Sequence, residues 1–421
     1  MITVAFVFRM LAVSFMYREH INPILDHWKF GWEMGEVARS IYLGHGFASP
    51  LFQPSGPTAW MTPVYPYMVA LCFKLFGLYT VAAAWAVLTL NSIFAACTAA
   101  LVYYTARRTF GEQVANWAGW IWVVFPYSIY LSAGRIWENT LTAFLMSAIF
   151  LQTLRVEERP TMPRWFAWGA LWGAGALTSP ALLATLPFLG LWIAYRKQRL
   201  GQRWLWGATV SAIVFFAMLS PWVVRNYLVF GKFIPLRDNF WLEVHVGNNG
   251  DTSDVTPDSS HPSNSPIERE QWNRLGEIEY MNAKKVQAKA FIAENPGLFA
   301  WVSFRRFVYV WSGFWSLAPD FLEDEPFHIP NVMFTTSMTL LFLLGLRFGY
   351  RGGIGASLTP YVLILVTFPV VYYFTHPSMD YRHPLDPAIV MLGCNGVNQW
   401  MKSRRKSREF AEESALASVG D

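Results

Sequence analysis

The chain has 421 residues, 54% of them hydrophobic and 14% charged, with a net charge of +5 and a mean hydropathy of +0.27. A soluble domain carries about 25% charged residues, so this balance excludes a water-soluble enzyme and predicts a polytopic membrane protein; the apolar segments taken in order below make it all-α with about ten transmembrane helices. Its 21 Trp suit many membrane interfaces, where amphipathic rings settle at the headgroups. Cys72, Cys97 and Cys394 lie in apolar runs without CxxC spacing, so neither a disulfide nor a zinc site is expected.

Residues 2–16 form a short apolar segment interrupted by Arg9, read as an uncleaved first span or signal anchor. Residues 17–80 then form a long acidic loop. If its first half is helical, Asp26, Glu33 and Glu36 share one face; alternatively, Lys29 pairs with Asp26 or Glu33 on a solvated helix. Gly44, Gly46 and Pro50 end that helix, and Pro54, Gly56, Pro57, Pro63 and Pro66 forbid regular structure after it. Residues 67–77 are too short to span and are expected to be re-entrant or interfacial. Spans follow near 81–106, 114–132, 139–154, 165–178, 181–195 and 204–223, then 331–348, 357–375 and 385–401.

The predicted parts are an N-terminal transmembrane catalytic module (1–223), an insertion (224–330), C-terminal transmembrane helices (331–401) and a basic cytoplasmic tail (402–421). Within the insertion, Gly247–Pro266 is turn-rich loop, 267–295 a charged helical segment, and 301–315 an interfacial helix that places Arg305 and Arg306 at lipid headgroups. With the N-terminus inside, nearly every short basic cluster falls on the inner side: Arg107 and Arg108; Arg155, Arg159 and Arg164; Arg196, Lys197, Arg199 and Arg203; Arg347 and Arg351; and the tail. Both termini are then cytoplasmic. The acidic loop, the AGRIWEN turn with Arg135 and Glu138, the insertion and the THPSMDYRHPLDP turn all face outside.

No GxSxG, Walker loop, HExxH or Rossmann fingerprint occurs, and no nucleic-acid partner is expected. Chemistry would therefore reside on the outer surface, where a transferase needs a membrane-carried donor. The Arg135/Glu138 pair is either a helix-start pair or part of a site. Tyr381, Arg382 and His383 either anchor the last span or clamp a lipid phosphate.

The EVARSIYLGHGF stretch, the PTAWMTPVYPYMVALCFKLFG stretch, the outer turn with Glu138, the GNN at 247–249, the Arg305/Arg306 pair and the YRHPLDP turn together resemble the C-type polytopic glycosyltransferases. Within them, the chain is similar to the group of protein O-mannosyltransferases and the lipid A aminoarabinose transferase, over most of residues 20–400. The resemblance implies a polyprenyl-phosphate sugar donor, a lipid, glycan or protein acceptor, membrane lipids as partners and a bacterial inner-membrane location. It also implies a first-loop acid as base or orienting group. The family's adjacent Asp-Glu pair, about two turns before the Ala-Arg that here is Ala38-Arg39, is replaced by Phe30 and Gly31. Glu33 is then expected as base, with Asp26 the alternative, Glu36 matching a further family acid and Glu138 orienting acceptor or metal. Arg382, aided by Arg305 or Arg306, would stabilise the leaving phosphate. A divalent metal on Asp26, Glu33 and Glu138 is permitted but not required. The rival functions are a flippase of lipid-linked sugars and an inactive relative acting as a binding subunit.

Overall fold

The computed structural model describes residues 1–16, 30–51, 54–250, 252, 260–313 and 328–417; Asp26 and Lys29 lie outside them. The described helices are α1 (Ile2–Met16), α2 (Glu33–Tyr42), α3 (Val64–Phe76), α4 (Val81–Phe110), α5 (Glu112–Val123), α6 (Pro126–Gly134), α7 (Asn139–Glu158), α8 (Met162–Thr178), α9 (Leu186–Arg199) and α10 (Leu205–Phe230). The insertion contributes α11 (Phe240–Gly247), α12 (Pro266–Leu275), α13 (Glu277–Glu294) and α14 (Pro296–Ser312); α15 (His328–Arg351), α16 (Gly355–Thr367), α17 (Val370–Phe374), α18 (Met379–Arg382) and α19 (Asp386–Ala417) follow. Among the described residues there is no β-strand beyond one isolated antiparallel bridge, Ala48 to Pro57.

Among the described residues, four helical stretches are long and apolar enough to cross a membrane: Val81–Phe110, Leu205–Phe230, Ile329–Arg351 and Ser357–Phe374. The segment expected as one span over 114–132 is instead two helices, because Pro126 has no N–H to continue α5 and starts α6 in its first turn. That break frees the last carbonyls of α5. Arg9 fills the gap: its guanidinium donates to Trp122 O (3.2 Å), Val123 O (3.1 Å) and Ser128 Oγ (2.9 Å). The charge that interrupts the first apolar segment is thus a buried cap, placed where the helix dipole favours a cation.

Helices α15 and α19 approach at glycines. A Cβ on Gly345 would sit 1.9 Å from Leu392 O, and one on Gly396 2.8 Å from Gly345 N. Small residues that let backbones meet are the usual means of packing helices in lipid.

The insertion docks on the first loop. Arg225, near the end of α10, donates to Phe47 O (2.6 Å) and Thr58 O (2.7 Å). Asp238 N donates to Ala59 O (3.1 Å), and Glu277 accepts from Ala59 N. The Asp238 and Glu277 carboxyl groups face each other, and the Asp238 oxygens and Glu277 Oε2 have no N–H or O–H donor among the described residues. Two facing carboxylates can bond only through a shared proton. Burial pushes Asp238 up to about 6 and Glu277 well above the usual carboxylate range. Because these folded values exceed the unfolded ones, near 4, their contribution to stability is complete at acid pH and is lost as pH rises through about 6. The melting temperature is therefore expected to fall between pH 5 and 8. Glu277→Gln, whose amide supplies the missing donor, should flatten that slope; parallel slopes in the two proteins would remove the pair as its cause.

Candidate active site

Gly31 sets the geometry. Its φ of +78° is left-handed, and a Cβ there would lie 2.1 Å from Ile136 O. Only glycine permits this approach, which brings the start of α2 against the turn leading into α7. The acidic pair of the resembling family has no room here: Phe30 is buried against Phe73 and Tyr79, with ring centroids 5.4 and 5.3 Å away. Glu33 and Glu138, the first residue of α2 and the N-cap of α7, are consequently neighbours.

Both carboxylates are buried. Glu33 Oε1 accepts from Ser263 Oγ and lies 3.9 Å from His261 Nε2. Burial pushes Glu33 up to about 7; Ser263 and the helix N-terminus oppose this, and the charges of Glu243 and Glu138 add to it. Burial likewise raises Glu138 to about 7, opposed by Arg237 and reinforced by Glu243. Glu138 Oε2 has no hydrogen-bond partner among the described residues. Its one neighbouring cation, Arg237, makes no ion pair among them.

Glu243, on α11, completes the group. It accepts from Asn239 Nδ2 (2.6 Å) and pairs with His376 Nε2 (2.8 Å). Burial alone would raise it, but His376, with His261 and Arg237 further off, holds it at about 2. Glu243 is thus held ionised within electrostatic reach of two acids that burial raises to about 7. Tyr381 stacks on Tyr372 with centroids 4.8 Å apart and lies 5.6 Å from the His376 ring; burial, then Glu243, keeps its hydroxyl protonated.

The other expected site residues have different surroundings. Glu36 accepts from Tyr79 OH (2.8 Å) and pairs with Arg39 (3.3 Å). Arg135 lies over the Tyr130 ring at 5.8 Å and is drawn to Asp380. Arg305 donates to Tyr309 OH (2.7 Å). Arg306 is buried, donating to Asn248 Oδ1 (3.2 Å) and Gly247 O. Arg382 turns to Asp386 (3.4 Å) and Val310 O (3.4 Å), while His383 bonds Asp386 (3.0 Å) and stacks on Trp122. Asn248, Arg306 and His383 thus knit the walls. Among the described residues no three His, Cys, Asp or Glu side chains come together to hold a metal ion; Asp26, the third member of the expected set, lies outside them.

Sequence reasoning missed Glu243, Arg237, His261 and Ser263 as site residues, and named His376 only as part of a polar turn. The available cue was Glu243, a lone acid in the apolar octet FWLEVHVG ahead of GNN.

Residues 57–224 match the family described as dolichyl-phosphate-mannose-protein mannosyltransferase, a stretch that includes Glu138 and ends before the insertion. No curated protein matches the chain with significance. In fold, 98% of the chain superposes on the oligosaccharyltransferase of Archaeoglobus fulgidus in complex with Zn and sulfate, with a TM-score of 0.55 and 13% identity. The chain resembles the C-type membrane glycosyltransferases.

Another structure of that archaeal protein, AglB with an inhibitory peptide and a dolichol-phosphate, matches at a TM-score of 0.52 and 13% identity, covering 98% of this chain. The chain spans about half the length of these C-type structures, 51% in each case. ArnT from Cupriavidus metallidurans bound to undecaprenyl phosphate aligns with a TM-score of 0.42 and 13% identity, over 94% of this chain and 76% of that one.

Proposed function

We propose that the chain is a membrane glycosyltransferase that moves a sugar from a polyprenyl-phosphate donor to a lipid, glycan or protein acceptor. The reaction would occur at the outer, periplasmic face of a bacterial inner membrane. The meeting of Glu33, Glu138 and Glu243 beside Arg237 supports this reading above all. Two buried acids raised toward neutrality and gathered at one end of the bundle favour proton transfer over a binding subunit or a flippase. About ten spans are proposed, the short helices pairing to cross; both termini lie on the side that carries the basic clusters.

In the proposed reaction an acceptor hydroxyl or amine attacks the anomeric carbon. The bond from that carbon to the phosphate oxygen breaks, and the acceptor proton passes to a carboxylate. Glu138, with Oε2 free, takes the proton. Glu33, held by Ser263, orients the acceptor. Arg237 faces the charge that develops on the departing polyprenyl phosphate, while Arg382 and Arg306 support the walls. A carboxylate near pH 7 suits a general base at neutral pH, because the ionised fraction and the basicity are then both substantial. A divalent metal, if bound, would polarise the phosphate, with Asp26, Glu33 and Glu138 its candidate ligands.

The reading is tested with purified protein and a radiolabelled polyprenyl-phosphate sugar. Turnover should release polyprenyl phosphate when an acceptor is supplied, and Arg237→Gln should lower kcat/KM by about 10- to 100-fold, the worth of one charge-assisted contact. Release unaffected by Arg237→Gln would remove that residue, and passage of intact donor across liposomes without release would favour transport.

A further inference from the structure

At the opposite end of the bundle from the acids, a cavity of about 80 Å³ opens between the ends of α4, α7 and α9 and the start of α16. Its wall contains two arginines, Arg108 and Arg196, and two glutamates, Glu157 and Glu158, with Trp192 and Ser357 beside them. Arg108 Nη1 holds both oxygens of Glu158 (2.8 and 3.0 Å), and Arg196 Nε holds Glu157 Oε1 (2.9 Å). Each guanidinium uses one nitrogen in this way and keeps further N–H groups for another acceptor. Glu157 Oε2 is likewise unengaged among the described residues.

The lining charges sum to zero, each arginine being paired with one glutamate, and both pairs keep N–H groups and carboxylate oxygen lone pairs for a further partner. A lone anion would also meet the two glutamates, and a lone cation the two arginines; a ligand carrying both signs can complement each ion pair without leaving a charge unbalanced. By the room one water-sized group needs, 80 Å³ holds roughly six such groups, the scale of a phosphate joined to a short amine. The face of α9 beside the cavity exposes Phe188, Leu191 and Tyr195, one helical stripe at i, i+3 and i+7, ready to lie along acyl chains. Trp192 and Arg196, on the adjacent stripe of the same helix, turn into the cavity.

We propose that this cavity binds the headgroup of a zwitterionic phospholipid with a primary ammonium, phosphatidylethanolamine in chemical class. The phosphate accepts from Arg108 and Arg196, the ammonium donates to Glu157 and Glu158, and the chains lie on the α9 stripe. The site is independent of the transfer chemistry; only its assignment to the cytoplasmic leaflet rests on the proposed topology.

Native mass spectrometry of the full chain, exchanged from equimolar dioleoyl phosphatidylethanolamine, phosphatidylcholine and phosphatidylglycerol, tests it. Phosphatidylethanolamine should be retained at least about tenfold over phosphatidylcholine, whose trimethylammonium cannot donate hydrogen bonds. Glu157→Gln with Glu158→Gln should erase that preference, and Arg108→Gln with Arg196→Gln should lower retention of both lipids. Equal retention of all three lipids by the wild-type protein would overturn the proposal without recourse to any variant. Preferred retention of phosphatidylglycerol would overturn it in favour of a simple anion site.

Discussion

Glu138→Gln is expected to reduce sugar transfer by about 10²- to 10⁴-fold, the usual contribution of a positioned general base, with the fold retained. Gln keeps the shape at the head of α7 but cannot accept the acceptor's proton. Glu33→Gln should cost less, about 10- to 100-fold, because the amide can still accept from Ser263. The pH profile separates the roles. Glu138 must be ionised to act, and its value lies near 7, so the rate should rise with pH through that region. Neutralising Glu243 removes a negative charge that pushes both acids up; in Glu243→Gln the rising limb should therefore move to lower pH. A full rate in Glu138→Gln, or a limb that stays put in Glu243→Gln, would end the assignment.

Gly247→Ala should disable the protein by geometry alone. A Cβ at Gly247 would lie 1.9 Å from Thr375 O and 3.0 Å from Arg306 Nη2. Neither can retreat easily, since Gly247 O and Asn248 Oδ1 both bind the Arg306 guanidinium, and Asn248 Nδ2 donates to Phe374 O (2.8 Å). The methyl must push α11 away from the turn that carries His376, stretching the Glu243–His376 contact of 2.8 Å. Overpacking of this kind costs about 1–3 kcal/mol, and transfer should fall by at least about tenfold as the fixed anion shifts. Gly250→Ala, whose Cβ would meet nothing within 4 Å, is the matched control and should be near neutral in both melting temperature and activity. Equal behaviour of the two variants would mean that the joint is softer than its contacts imply.

The sequence made the helical class legible because long apolar runs have few alternatives, and most helices begin and end near the expected residues. It did not disclose the break at Pro126 as functional packing, since the partner that heals it, Arg9, is more than a hundred residues away and reads locally as a defect in an apolar segment. The site divides in the same way. Glu33 and Glu138 could be named from local pattern and family resemblance, as each stands at a helix start in an unusual loop. Glu243 offered only the weak cue of a lone acid in an apolar octet, and Arg237 none, because their meaning lies in contacts that no spacing encodes. Arg306 and Arg382 illustrate the converse: arginines beside aromatics suggest a phosphate clamp, yet here their guanidinium groups bind backbone carbonyls and neighbouring side chains, which a one-dimensional pattern cannot distinguish from ligand binding. The GNN motif gained its physical content only when Gly247 was seen against Thr375.

The glycine seam between α15 and α19 gives the two ends of the molecule different sensitivities. Where Gly345 and Gly396 let backbones touch, cohesion comes from dispersion and weak C–H contacts to carbonyl oxygen, neither of which titrates or is screened by salt. The docking of the insertion on the first loop, by contrast, depends on a proton and an arginine. Alkali should therefore loosen the cap over the acids while the C-terminal helix pair stays clasped, so that the first opening event under stress is a hinge at the end that carries the acids rather than dissolution of the bundle.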